Sequence, residues 1–180
     1  MRCDRRPGRD QCAAASRRVP SNEQRQWERG EHTPFGNDHA LDLVDELAEL
    51  DEREKEEHLR QLFGEVLAPP AGGRLWPKEV VAGAALVALA LPGGAAVVTD
   101  EAGGHDKEED VEDNWGTAVP SAPSAELLSL AVEALQVVTV PAGQWCAGWR
   151  LNEDRAAALG HVTTIATVLR VAMATGPGGG

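Results

Sequence analysis

Residues 77–98 read Pro-Lys-Glu-Val-Val-Ala-Gly-Ala-Ala-Leu-Val-Ala-Leu-Ala-Leu-Pro-Gly-Gly-Ala-Ala-Val-Val. From Val80 to Val98 no side chain is charged, and 19 residues come close to the roughly 20 that span a bilayer as a helix. Pro92-Gly93-Gly94 interrupts the run, however, and much of the remainder is Ala and Gly. The stretch up to Leu91 therefore reads as a short helix, apolar on nearly every side, which is the pattern of a helix surrounded by neighbours. Pro77 suits its first turn, where the missing N–H has no intrahelical partner in any case. A buried helix of this kind demands other helices to bury it, and the rest of the chain supplies them.

Composition points the same way. Hydrophobic residues make up 42% of the 180, but 28 of them are Ala, aromatics are 4% and Tyr is absent. A core built from Leu, Val and Ala favours helices over a β-sandwich. Upstream, Asn37-Asp38 can cap a helix carrying Leu41, Val44, Leu47 and Ala48 at spacings of three and four, with Asp38, Asp42, Asp45 and Glu49 on the other side. Asp51 with Glu54 three residues on can cap a second helix bearing Leu59, Leu62, Phe63, Val66 and Leu67, which stops before Pro69-Pro70. So short a connection predicts an antiparallel hairpin of these two helices. Downstream, Ser124 caps a helix with Leu127, Leu128, Ala131, Ala134, Leu135 and Val138, ended by Pro141 and Gly143. Asn152, followed by Glu153 and Asp154, opens a last helix through Leu159, Val162, Ile165, Ala166, Leu169 and Met173. The expected fold class is all-α, a small bundle of about five helices forming one domain over residues 32–173.

Three segments fall outside those helices. Residues 1–31 carry eight Arg, lack an apolar stripe and read as a disordered basic head, with Val19 an alternative start nearer the body. Residues 93–123, with two Gly-Gly pairs and the acidic run 106–113, read as a flexible acidic linker. Residues 174–180 read as a flexible, Gly-rich tail. No secretory segment is evident in the head. Cys3, Cys12 and Cys146 match neither a disulfide framework nor a zinc spacing, which fits a reduced, cytoplasmic setting with Cys146 as a small buried hydrophobe.

The segment Thr33-Pro34-Phe35-Gly36-Asn37-Asp38-His39-Ala40-Leu41-Asp42 resembles the start of a bacterial family, domain of unknown function 4259, with its Trp-Gly-x-Gly-Pro-Phe-x-Asn-Asp-x-Ala-x-Asp signature. Phe35, Asn37, Asp38, Ala40 and Asp42 match; Gly30 stands where the Trp is expected and Thr33 where the second Gly is expected. The apolar helix 77–91, the segment from Ser124, and Trp145 or Trp149 before a closing helix agree in layout, so the resemblance spans roughly residues 31–171. It implies fold and boundaries without chemistry.

Two readings of the signature compete. Asp38, His39 and Asp42, with His32 upstream, have the oxygen and imidazole groups of a divalent-metal site for a small hydrolase. Alternatively Asn37 or Asp38 caps the helix, Phe35 packs on its first turn and the acids form a solvated face; His58 and His161 read likewise as surface or satisfied core residues. The second reading is preferred, and Phe35, Asn37, Asp38 and Asp42 stand as the candidate signature. No cofactor motif, phosphate loop or nucleophile elbow is present. With a net charge of −12, nucleic acid and anionic membranes are poor partners. A basic protein is the partner that acidity would steer, as for an interaction module of the inhibitor or immunity type.

Overall fold

The computed structural model describes residues 32–68, 77–98, 115–141, 144–149 and 152–176. The expected head, the acidic run 106–113 and the last four residues of the tail lie outside these. Among the described residues the fold is all-α: α1 (Asp38–Glu49), α2 (Glu52–Leu67), α3 (Pro77–Leu89), a 3-10 turn (Gly94–Val97), α4 (Trp115–Ala118), α5 (Ala125–Val138), α6 (Gln144–Ala147) and α7 (Asn152–Thr175). Five of these are long, as the periodicity predicts.

α3 is the axis of the bundle. Nine consecutive residues, Val80 to Ala88, are buried, because α1, α2, α5, α6, α7 and the 3-10 turn all pack on it. A face-by-face apolar sequence is what such a position requires, since no side of the helix meets water. Small residues let the neighbours close in: Leu59, Leu62 and Phe63 of α2 lie over Gly83, where a β-carbon would sit 3.1 Å from the Leu62 side chain. Phe63, Leu59, Leu86, Leu127, Leu135, Ile165 and Leu169, all fully buried, form the bulk of the core, each such side chain contributing about 1.5–3 kcal/mol of transfer free energy.

The structure corrects four expectations. α1 and α2 do not form a hairpin; α1 packs on α3 and α4, while α2 packs on α5. Each apolar stripe finds a different partner, and a short connection fixes only where the next helix starts. The apolar face of α1 is Ala40, Leu43, Val44 and Leu47, whereas Leu41 is 45% exposed. On α7, Met173 is exposed beyond the last buried turn.

The fourth correction concerns residues 93–123, whose two ends are built into the fold. Gly93 adopts a left-handed φ of 86°, and a β-carbon at Gly94 would run into the backbone of Ala88 and Leu89. The two glycines thus reverse the chain onto α3, and Val97 is fully buried. At the other end α4 packs on α1, with Ala118 fully buried. Composition averaged over the segment concealed these short apolar anchors.

One helix among the described residues is long and apolar enough to cross a membrane, and it is α7 rather than the stretch around α3; 28% of its most apolar window is buried in the fold.

Candidate functional site

The signature segment has two sides, and they differ in chemistry. Its outer side is α1. Asn37, in extended backbone, caps the helix: its side-chain oxygen accepts from the Ala40 N–H at 3.2 Å. Asp38 is the first helical residue and exposed, so of the two candidate caps Asn37 is the one used, while Asp38 faces the positive end of the helix dipole from within the first turn. Phe35 is buried, and its ring lies 4.7 Å from that of Trp115 at 33°. It anchors the signature loop to α4, a partner hidden in the stretch expected to be linker.

Asp38, Asp42, Asp45, Glu46 and Glu49 of α1 are all exposed, and none has a Lys or Arg within ion-pair distance among the described residues. Leu41 lies exposed among them, between Asp38 one turn before and Asp45 one turn after. Toward α2 and α3 the flank of α1 carries two histidine contacts, His39 Nδ1 to Glu79 Oε1 at 4.0 Å and His58 Nδ1 to Glu46 Oε1 at 3.6 Å. Burial pushes the Glu79 carboxyl above its usual range; His39 and His58 oppose the shift, and Asp42 and Glu46 reinforce it. The acids of the signature helix thus raise the proton affinity of a carboxyl on α3.

Asp38, His39 and Asp42 do not come together as ligands: among the described residues no three His, Cys, Asp or Glu side chains form a group able to hold a metal. The hydrolase reading has no geometric support.

The inner side of the signature is a small cleft bounded by His32 and Asn37, by Lys78 on α3, by Trp145 and Trp149, and by His161 on α7. Trp145 and Trp149 meet edge to face at 5.5 Å, and Lys78 Nζ sits 5.9 Å from the Trp149 ring centre. The rings of His32 and His161 are 6.0 Å apart. His161, expected as a surface or satisfied core residue, is buried and has a polar or ring partner. Cys146 is buried beside Trp145, and its Sγ lies 3.6 Å from the Thr139 carbonyl oxygen; it packs as a small apolar residue, as expected.

Sequence reasoning singled out Asn37 and Phe35, named Trp145 or Trp149 only as part of the family layout, placed Leu41 on the buried stripe, and missed Lys78 and Glu79. Lys78-Glu79 was legible as the only charged pair in the first turn of an otherwise apolar helix. Leu41 required the rotation of α1 about its axis.

A family model described as Domain of unknown function (DUF4259) matches residues 30–160. No curated protein and no solved structure matches the chain.

Proposed function

Since the chain belongs to the family described as a domain of unknown function (DUF4259), a description that carries no activity, we propose its function from its own surface: a protein-interaction module that receives a basic protein on the outer face of α1. The observation that carries the reading is Leu41, an exposed large apolar side chain set among five exposed acids that no Lys or Arg neutralises among the described residues. An apolar anchor ringed by like charge is the arrangement of an interface in which the anchor gives affinity and the ring gives on-rate and selectivity. In the free protein the five acids repel one another, and a cationic partner relieves that repulsion. An inhibitor or immunity-type protein acting on a basic target in a reducing, cytoplasmic compartment is the form of this reading that charge and the free Cys146 support best.

The test is capture from the native host with three baits: the wild type, Leu41→Ser, and Asp42→Lys with Asp45→Lys. A stoichiometric protein of high isoelectric point retained by the first, weakened by the second and lost with the third is the expected result, with retention falling as salt rises. A partner held equally well by all three baits places the interface elsewhere and overturns the proposal.

A further inference from the structure

We propose that the cleft beneath the signature loop is an oxyanion site, built to take one oxygen of a carboxylate or phosphate group. The argument starts from two buried atoms that lack a partner, His32 Nδ1 and Trp149 Nε1, both on residues that line the same cleft. The indole N–H is a donor only and has no way to be satisfied except by an acceptor. Leaving a buried donor unmade costs its desolvation. Lys78, a third donor that accepts nothing, lies against the Trp149 ring and makes no ion pair among the described residues. What the three groups lack in common is an acceptor.

Charge decides what kind of acceptor. In a chain of net charge −12, not one Asp or Glu lines this cleft among the described residues. Lys78 in the first turn of α3 and Asn37, the cap of α1, both line the cleft, so it borders the N-terminal ends of two long helices, where negative charge is favoured. A water molecule has the lone pairs to serve both donors yet leaves the ammonium without a counter-charge; an anionic oxygen meets both needs. His32 Nδ1, which lacks a partner of its own, is a further donor to that oxygen in the tautomer that carries its proton there.

Size limits the ligand. The cleft is partly open and leaves about 10 Å3 for the centre of a water-sized atom, room for a single oxygen, so one oxygen enters while the rest of the group lies outside, along Lys78 and Trp149. The site is independent of the outer face of α1 and stands whether or not that face binds a basic protein.

Nuclear magnetic resonance of the full chain labelled with nitrogen-15 tests the site directly, since Trp149 reports through its own indole N–H. Trp149→Phe identifies that resonance by its disappearance. Sodium acetate, sodium phosphate and sodium chloride are then titrated in parallel at matched ionic strength. The expected result is a saturable downfield shift of the Trp149 indole proton with acetate, phosphate or both, absent with chloride. In Lys78→Gln the saturation should move to at least tenfold higher concentration while the Trp115 indole resonance stays in place, showing an intact fold. Saturation by acetate alone assigns a carboxylate, and by phosphate alone a phosphoryl group. An immobile Trp149 resonance, an equal response to chloride, or unchanged saturation in Lys78→Gln each overturns the proposal and leaves the space to a bound water.

Discussion

α1 and α2 follow one another along the chain with two residues between them, and both are crowded with acids, yet they dispose of the charge in opposite ways. On α2 the acids are tied into the structure. Asp51 and Glu54 close a capping box, Glu52 binds Lys55 at 2.8 Å and accepts the Ser121 N–H, and Arg60 gathers Glu56, Glu57 and Glu126. On α1 the five acids go without a Lys or Arg partner among the described residues, and two of them, Asp42 and Glu46, add to the upward shift that burial imposes on Glu79. The same composition is therefore a fastening in one helix and an open surface in the other. The difference comes from where cations stand: Lys55 and Arg60 lie one turn from the α2 acids they hold, at the i,i+3 and i,i+4 spacings that let helix side chains meet, and α1 contains no Lys or Arg.

Breaking the fastening should cost the most. Removal of the α2 capping box in Asp51→Ala with Glu54→Ala is expected to lower stability by about 1–2 kcal/mol, read as the urea midpoint at constant slope; a loss below about 0.5 kcal/mol would put α2 on the same footing as α1.

A smaller effect is expected at the start of α1. Asn37→Ala should cost about 1 kcal/mol as the loss of a used cap. Asp38→Ala should cost only a few tenths, the value of an exposed acid near a helix N-terminus. Equal losses would show that the two residues share the cap in solution.

The third contrast is one of sign. The Lys55 hydrogen bond, followed by the Ser121 backbone N–H, holds the Glu52 carboxyl at about 2 against an ordinary 4.5. A depressed pKa stabilises the fold above the unfolded value, and that contribution is lost as pH falls from 4.5 toward 2. Because Glu52 is about half exposed, solvent screening keeps it to roughly 0.5–1 kcal/mol. Glu52→Gln should thus lower the urea midpoint at pH 7 and flatten the loss of stability in acid. Glu79 is shifted the other way, so its ionised form opposes folding near neutrality and protonation relieves it. Glu79→Gln should leave the midpoint at pH 7 unchanged or slightly raised. A fall as large as that of Glu52→Gln would mean that its contact with His39 holds the fold together.

Smallest of all, Asp42→Ala and Leu41→Ala should stay within about 0.5 kcal/mol of the wild type, with Asp42→Ala on the stabilising side as repulsion on α1 eases. Chemical denaturation of both variants checks this. A clear destabilisation in either would assign the outer face a structural task and remove the reason to read it as an interface.

Much of this was legible in the sequence. Helix starts at Asn37, Asp51 and Ser124 follow from local chemistry, because a cap is a hydrogen bond between a side chain and a backbone group two or three residues away. The burial of α3 was legible because a helix apolar all round has one stable place in a soluble bundle. The all-α class and the membership of the family likewise needed only the order of side chains. Tertiary structure alone decided the rest. It set which stripe each helix meets, so that α1 and α2 part company, and turned α1 so that Leu41 faces outward. It anchored the ends of residues 93–123 through Val97, Trp115 and Ala118. It also brought His32, Lys78, Trp149 and His161, from segments more than a hundred residues apart at their extremes, around one cleft that no acid lines among the described residues. Local hydrogen bonds and apolar periods are written within a few residues of sequence, whereas the rotation of a helix and the meeting of distant side chains are fixed by packing, in which every element competes for the same buried volume.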